Sequence, residues 1–208
     1  MSEGNQIAEL AKVIDEVYTL NAHAHDTFSQ VIELCKWTLR RHEPGSEEQY
    51  MKVVGYMQAA AVRTAPQAFA ILMQHFVMDQ QFSDLLGPVY MELAGKWKQS
   101  GLGQYFTPWP VCVAMAEMVM VDVEPTQENP LTVNEPCVGS GAMLLAARDV
   151  VARRFGRPSL QWLKVSGADI DPLCVNMAEV QLRLTDDQFM MSWAIANAHT
   201  LTDLQENK

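Results

Sequence analysis

The sequence predicts an α/β protein, a partial doubly wound sheet preceded by an all-helical region. Two observations carry this. Residues 5–100 repeat their apolar side chains at helical spacing. From residue 101 the order becomes helix, strand, glycine turn, helix, strand, helix, strand, the pattern of parallel βαβ units. Residues 1–100 are therefore assigned to a helical N-terminal region and 101–208 to the sheet domain.

In the helical region, Ile7, Leu10, Ala11, Ile14, Val17 and Tyr18 mark a first helix. Phe28, Val31, Ile32, Leu34, Cys35 and Leu39 mark a second, expected to stop near His42, ahead of Pro44-Gly45. Two further helical stretches follow at 47–64 and 66–82. The first passes through Ala59-Ala60-Ala61, a small-residue surface that lets a neighbour approach closely. A turn at Leu86-Gly87-Pro88 leads into a helix over 89–97, and 99–103 reads as a loop.

In the sheet domain, Thr107-Pro108 predicts a helix start, with Thr capping free N–H groups and Pro fitting the first turn; the helix runs to about Val121. Residues 123–130 are polar, with two prolines, and read as a loop. Leu131 to Asn134 is a short strand, Gly139-Ser140-Gly141 a tight turn, and 142–155 a helix ended by Gly156 and Pro158. Residues 163–170 form the second strand, Asp171-Pro172 opens a helix to about Leu184, and 189–196 form the third strand.

Bulk properties limit the function classes. Of 208 residues, 49% are hydrophobic and 19% charged, enough to bury a core. No apolar run reaches the roughly 18 residues that span a membrane, and Met1 to Gln6 lacks a basic start and a signal core. Cys35, Cys112, Cys137 and Cys174 lie too far apart in sequence for paired metal spacing and read as reduced thiols of a cytoplasmic protein. The thirteen methionines read as adaptable core filler. His23, His25 and Asp26 cluster, but histidines two apart on a helix point in different directions, so no metal site is assigned. The net charge of −10 argues against this chain holding DNA alone. Arg40-Arg41, Lys96 to Lys98, and Arg153, Arg154 and Arg157 read as solvated surface. Any DNA contact needs one of these patches or a basic partner.

Three segments carry chemistry. Glu135-Pro136-Cys137-Val138-Gly139-Ser140-Gly141 follows a strand and opens a helix. Glycines there let a ligand touch backbone at the strand's carboxyl end and let the helix N-terminus aim N–H groups at it. A purely structural tight turn is the alternative. Gly167-Ala168-Asp169-Ile170-Asp171-Pro172 ends the next strand, where an acid can accept hydrogen bonds from ribose hydroxyls. Asp169 lies 28 residues after Gly141, a distance the intervening helix and loop account for, and Asp171 caps the next helix. A helix cap or a solvated charge is the alternative for Asp169. Gly103-Gln104-Tyr105-Phe106-Thr107-Pro108 packs two rings and a hydroxyl into a loop entering a helix. The rings offer a face to a flat ligand group, and the alternative is two hydrophobic anchors and a cap.

Together these segments resemble the N6-adenine DNA methylases, above all the methylation subunits of type I restriction–modification systems and their plasmid- and phage-borne relatives. The resemblance covers roughly residues 85–201, and Asp84-Leu85-Leu86-Gly87-Pro88-Val89-Tyr90-Met91 is similar to the lead-in of the short mobile-element members. It implies a Rossmann-like methyltransferase sheet that binds S-adenosyl-L-methionine. On that pattern Gln104, Tyr105, Phe106, Thr107 and Pro108 form a wall near the methionine part of the cofactor. Glu135, Pro136, Gly139, Ser140 and Gly141 line the centre, Asp169 holds the ribose, Ile170 is a further cofactor-binding residue, and His199 stands where the family offers Asp or Asn to the adenine amino group.

The chain departs from the family at three places. Glu135 replaces the usual Asp and keeps its charge, and His199 replaces the usual amino-group partner. Family enzymes also carry Asn-Pro-Pro and an aromatic residue at the end of a fourth strand, where the flipped adenine is received. No Asn-Pro-Pro occurs in this sequence; its one Asn-Pro pair, Asn129-Pro130, precedes the first strand. The resemblance therefore implies a cofactor half without the methyl-acceptor half, and no catalytic residue is assigned. The fourth strand would pair beside the first, so Leu131 to Asn134 is expected to be an open edge covered by the N-terminal helices or a second copy. The expected function is cofactor binding in DNA adenine methylation, with DNA reached through a partner subunit in a homo-oligomer or hetero-complex. The alternative is a non-catalytic cofactor- or partner-binding protein that modulates a restriction–modification system.

Overall fold

A computed structural model of the chain describes residues 3–97, 105–120, 124–185 and, for the backbone, 193–197. The chain divides into two compact units, Met1–Asp79 with Leu85–Tyr105, and Gln80–Asp84 with Phe106–Lys208.

The first unit is helical: α1 (Glu3–Leu20), α2 (Thr27–Leu39), α3 (Ser46–Tyr56), α4 (Ala59–Thr64), α5 (Pro66–Met73) and α6 (Leu86–Lys96). α1 buries Leu10, Ala11, Ile14 and Val17 and packs against α4, α5 and α6. The fully buried Ala61 on α4 belongs to the small-residue surface noted in the sequence.

The expected helix over 47–64 is broken at Met57, whose backbone is extended. The Gln58 N–H donates to Asn21 Oδ1 at 2.9 Å, while the buried Asn21 amide donates to Thr27 and Gln30. A side chain 37 residues away thus takes an N–H that a continuous helix would keep. The expected helix over 66–82 also ends early, in a π-helical turn at Gln74–Met78. There Gln6 bonds the buried His75 ring at 2.8 Å and donates to Asp79 at 2.9 Å, and Gln74 donates to Asp79 at 2.6 Å. α6 starts at Leu86, so Gly87 and Pro88 lie inside its first turn; a proline there gives up only an N–H that has no intrahelical partner. The His23 ring packs edge-on against Tyr18.

The second unit holds α7 (Trp109–Val119), β1 (Leu131–Glu135), α8 (Ala142–Phe155), a 3₁₀ turn (Arg157–Trp162), β2 (Leu163–Asp169), α9 (Pro172–Leu184) and β3 (Trp193–Asn197). The strands form one parallel sheet in the order β1-β2-β3, with Glu135 opposite Gly167 and Asp169 opposite Asn197. α8 lies between β1 and β2 and α9 between β2 and β3, the usual crossovers of parallel pairing. The 3₁₀ turn was not foreseen. The third strand falls at 193–197, while 189–192, the first part of its expected span, lie outside the described residues. The expected Thr107 cap is corrected: Pro108 occupies the N-cap with no side-chain bond, and its carbonyl accepts the Val111 and Cys112 N–H groups at 2.9 and 3.2 Å. Pro110 fills the first turn instead.

α8 is buried along most of its circumference, including Arg148 at 0% exposure. Arg148 donates to the carbonyls of Leu182 at 3.1 Å and Thr185 at 2.5 Å at the end of α9; the Leu182 carbonyl also accepts the Thr185 hydroxyl at 2.8 Å. Its guanidinium lies 6.0 Å from the Phe82 ring, and that of Arg157 lies 4.9 Å from the same ring. Phe82 belongs to the short segment 80–84, which crosses from the first unit into the second and returns.

Among the described residues no helix is long and apolar enough to cross a membrane. All four cysteines are free, and only Cys137 is exposed. Burial pushes the thiols of Cys35 and Cys174 up to about 12 and that of Cys112 up to about 11.

Two outcomes are expected. Arg148→Ala removes the guanidinium's bonds to the Leu182 and Thr185 carbonyls and leaves a cavity, and it should lower unfolding free energy by about 3 kcal/mol or more in a urea titration. At pH 8 the three raised thiols stay protonated, so a chromogenic disulfide reagent should label Cys137 alone in the native protein and all four cysteines in guanidinium.

Candidate functional site

In a parallel sheet the carboxyl ends of neighbouring strands emerge side by side. Here the register sets the tip of β1 beside β2, two residues short of Asp169. Gly167 makes this approach possible. A Cβ there would stand 2.8 Å from Val138 Cγ2 and 3.0 Å from the Glu135 carbonyl oxygen.

Two hydrogen bonds tie the two tips together and a third orders the second tip. The Val138 N–H donates to the Ala168 carbonyl at 2.9 Å. The Gly139 N–H donates to Asp169 Oδ2 at 2.9 Å. Asp169 Oδ1 accepts the Asp171 N–H at 3.0 Å. Asp171 in turn caps α9 through the Leu173 N–H at 2.9 Å, as its place before Pro172 predicts. Glu135 is half-buried, and its Oε1 accepts the Cys137 N–H at 3.0 Å, folding the acid back over the turn.

The turn's glycines are required by shape. Gly139 has φ +54°, and a Cβ on it would meet the Phe106 ring at 3.1 Å, so this ring lies directly on bare backbone. Gly141 has φ +97°, and a Cβ on it would lie 3.1 Å from the Ala178 Cα, where the start of α8 meets α9.

Phe106, Glu135, Gly139 and Asp169 therefore gather at the strand tips. Ser140 is at the same turn, but its side chain is buried and serves the interior. Its Oγ donates to Asp84 Oδ2 at 2.6 Å and its carbonyl accepts from Gln181 Nε2 at 2.7 Å. Pro136, Thr107 and Pro108 are exposed, as is Ile170 at 67%. Tyr105 closes the first unit in sequence and is 84% exposed. Gln104 and His199 lie outside the described residues.

In the sequence Asp84 marks only the start of a similar segment, and Gln181 belongs to no motif. The signal for Gln181 was present. Cys174, Met177, Ala178 and Gln181 share one buried stripe of α9, and an amide on an apolar stripe needs a buried partner. Cys112 on α7 reports the local field. Its thiol is raised first by burial and then by the negative charges of Asp84 and Glu135.

The arrangement suits a ligand rich in donors. Two carboxylates stand at the tips, and each oxygen of Asp169, with two lone pairs and one N–H accepted, keeps one lone pair for a further donor. An anionic phosphate would be repelled here, whereas vicinal hydroxyls or a cationic group would be welcomed. Gly141→Ala, which brings both positive-φ strain and a backbone clash, should cost about 1–3 kcal/mol in urea unfolding. Gly55→Ala, where nothing lies within 4 Å of the added methyl, should leave stability unchanged or slightly raised.

Residues 81–208, more than half of the chain, match the family model described as N-6 DNA Methylase. Among solved structures the chain is similar to a Listeria monocytogenes protein provisionally assigned as a class I S-adenosylmethionine-dependent methyltransferase. The TM-score is 0.53 at 15% identity, over 92% of this chain and 53% of that one. A type I restriction–modification methyltransferase subunit from Streptococcus thermophilus aligns at TM-score 0.49 and 15% identity, over 94% of this chain and 58% of that one. The chain spans little more than half the length of either. The likeness to the Listeria protein agrees with the α/β methyltransferase sheet read from the sequence, and the match over 81–208 makes this chain a member of the N-6 DNA methylase family.

Proposed function

We propose that the strand-tip site binds S-adenosyl-L-methionine and that the protein serves N6-adenine DNA methylation together with a partner subunit. The observation that carries the reading is Asp169, which leaves the tip of β2, grips Gly139 of the turn after β1, and keeps acceptor capacity for ribose hydroxyls. The Phe106 ring on Gly139 supplies an apolar wall. Glu135 adds a second negative charge at the strand tips, which would suit a sulfonium or ammonium group. The residues fit this cofactor better than a phosphate-bearing dinucleotide, which would face two carboxylates. When bound, the cofactor supplies an electrophilic methyl group. The chain's own residues fix its ribose and shape the turn beneath it. Tyr105, Thr107, Pro108, Pro136, Ile170, Gln104 and His199 complete the proposed lining on the family pattern.

The net charge of −10 supports delivery of DNA by a more basic partner in the cytoplasm. β1 is the edge of the described sheet, which supports assembly with a second copy or another subunit. A single species of 23 kDa in sedimentation at micromolar concentration would remove the self-assembly part.

Calorimetric titration with S-adenosyl-L-methionine tests the core of the proposal. Wild-type protein should bind, and Asp169→Ala should bind more weakly by about 1–3 kcal/mol, the cost of losing hydrogen bonds to a charged acceptor. Absence of wild-type binding would sink the reading. Methyl transfer to adenine in DNA should appear only with the partner subunit present. Binding without transfer, even with that subunit, would favour the non-catalytic alternative.

A further inference from the structure

We propose that Asp84 is a positioning residue for the glycine turn, holding Ser140 and Gln181 so that the backbone of Gly139–Gly141 keeps one conformation. As a statement about cofactor affinity, this rests on the reading above.

Three side chains close a ring inside the second unit. Asp84 Oδ2 accepts from Ser140 Oγ at 2.6 Å and Asp84 Oδ1 accepts from Gln181 Nε2 at 2.8 Å. Gln181 Nε2 also donates to the Ser140 carbonyl at 2.7 Å. All three are buried, Asp84 at 2% exposure. The low-dielectric setting makes these bonds strong and their loss costly.

The position of the ring matters more than its strength. Ser140 stands between two glycines with positive φ, at +54° and +97°, in the most permissive backbone of the unit. Within residues 139–141 it carries the only side chain. Its hydroxyl is therefore the one side-chain handle by which the rest of the protein can fix the two peptide planes around it. Asp84 holds that hydroxyl, and through Gln181 it also fixes the carbonyl on the other side. Residue 84 is 56 positions from Ser140 and outside every motif that names the site. A simple core-filling role would not need a carboxylate bonded at both oxygens to the turn and its neighbour.

Amide hydrogen exchange by mass spectrometry on the full chain without ligand provides the test, with cofactor titration beside it. Asp84→Ala should speed exchange at residues 139–142 by about tenfold and leave residues 146–151 of α8 unchanged. Asp84→Asn should restore most of the protection, because its amide oxygen accepts from Gln181 and its NH₂ donates to the Ser140 hydroxyl. Ser140→Ala should reproduce Asp84→Ala, and it carries the test if Asp84→Ala does not fold. Cofactor affinity should fall at least about fivefold in Asp84→Ala and recover in Asp84→Asn. Faster exchange spread evenly over α8 and β2, unchanged exchange at the turn, or no recovery with Asn would each overturn the inference. If exchange behaves as stated but wild type binds no cofactor, positioning stands and the cofactor reading falls.

Discussion

The hydrogen bond from the Gly139 N–H to Asp169 Oδ2 is the contact on which the site depends. It joins the tips of two adjacent parallel strands, and it exists only because β1 and β2 pair in the observed register. A slip of one residue would turn Asp169 to the other face of the sheet and leave the turn without its anchor. The same carboxylate accepts the Asp171 N–H, so the ordering of one tip sets the entry of α9. Turn, acid and helix start thus behave as one mechanical piece.

Beneath this piece the second unit buries polar groups more heavily than its modest sheet would suggest. Arg148 inserts a guanidinium between α8 and the end of α9, and Asp84, Ser140 and Gln181 form a closed ring close by in the chain's contacts. Burying such groups is costly unless they are satisfied, and the gain is specificity of geometry more than raw stability. A leucine-filled interior of equal volume would hold α8 against α9 but would not dictate the peptide orientations in the turn.

Much of this was legible in the sequence where the signals are local. The bounds of α8, Ala142–Phe155, follow from the glycine turn before it and Gly156 after it. The Asp171-Pro172 start of α9 follows from side-chain capping within two residues. The breaks at Met57 and after Met73 were not legible, because Asn21 and Gln6 impose them from 37 and 69 residues away. Thr107 misled because two prolines follow it closely, at 108 and 110, and the structure uses the second in the first turn. At the site, residue types alone marked Asp169 and the glycines. They could not reveal that Ser140 faces inward, since a hydroxyl beside a ligand and one bonded to a buried acid look the same in one dimension. The partner that decides it, Asp84, lies in a different stretch of chain.

The crossing of residues 80–84 gives the protein an unusual genetic grammar. The sheet-bearing unit is not one continuous stretch of coding sequence, since Phe82 and Asp84 are encoded ahead of α6 while the strands follow it. A recombination event that exchanged only the region after residue 100 would bring in a new glycine turn and leave the old acid behind. Viable exchange between relatives must then take both pieces or find sequences in which the two already agree. In this way five residues tether the inheritance of the helical half to that of the sheet.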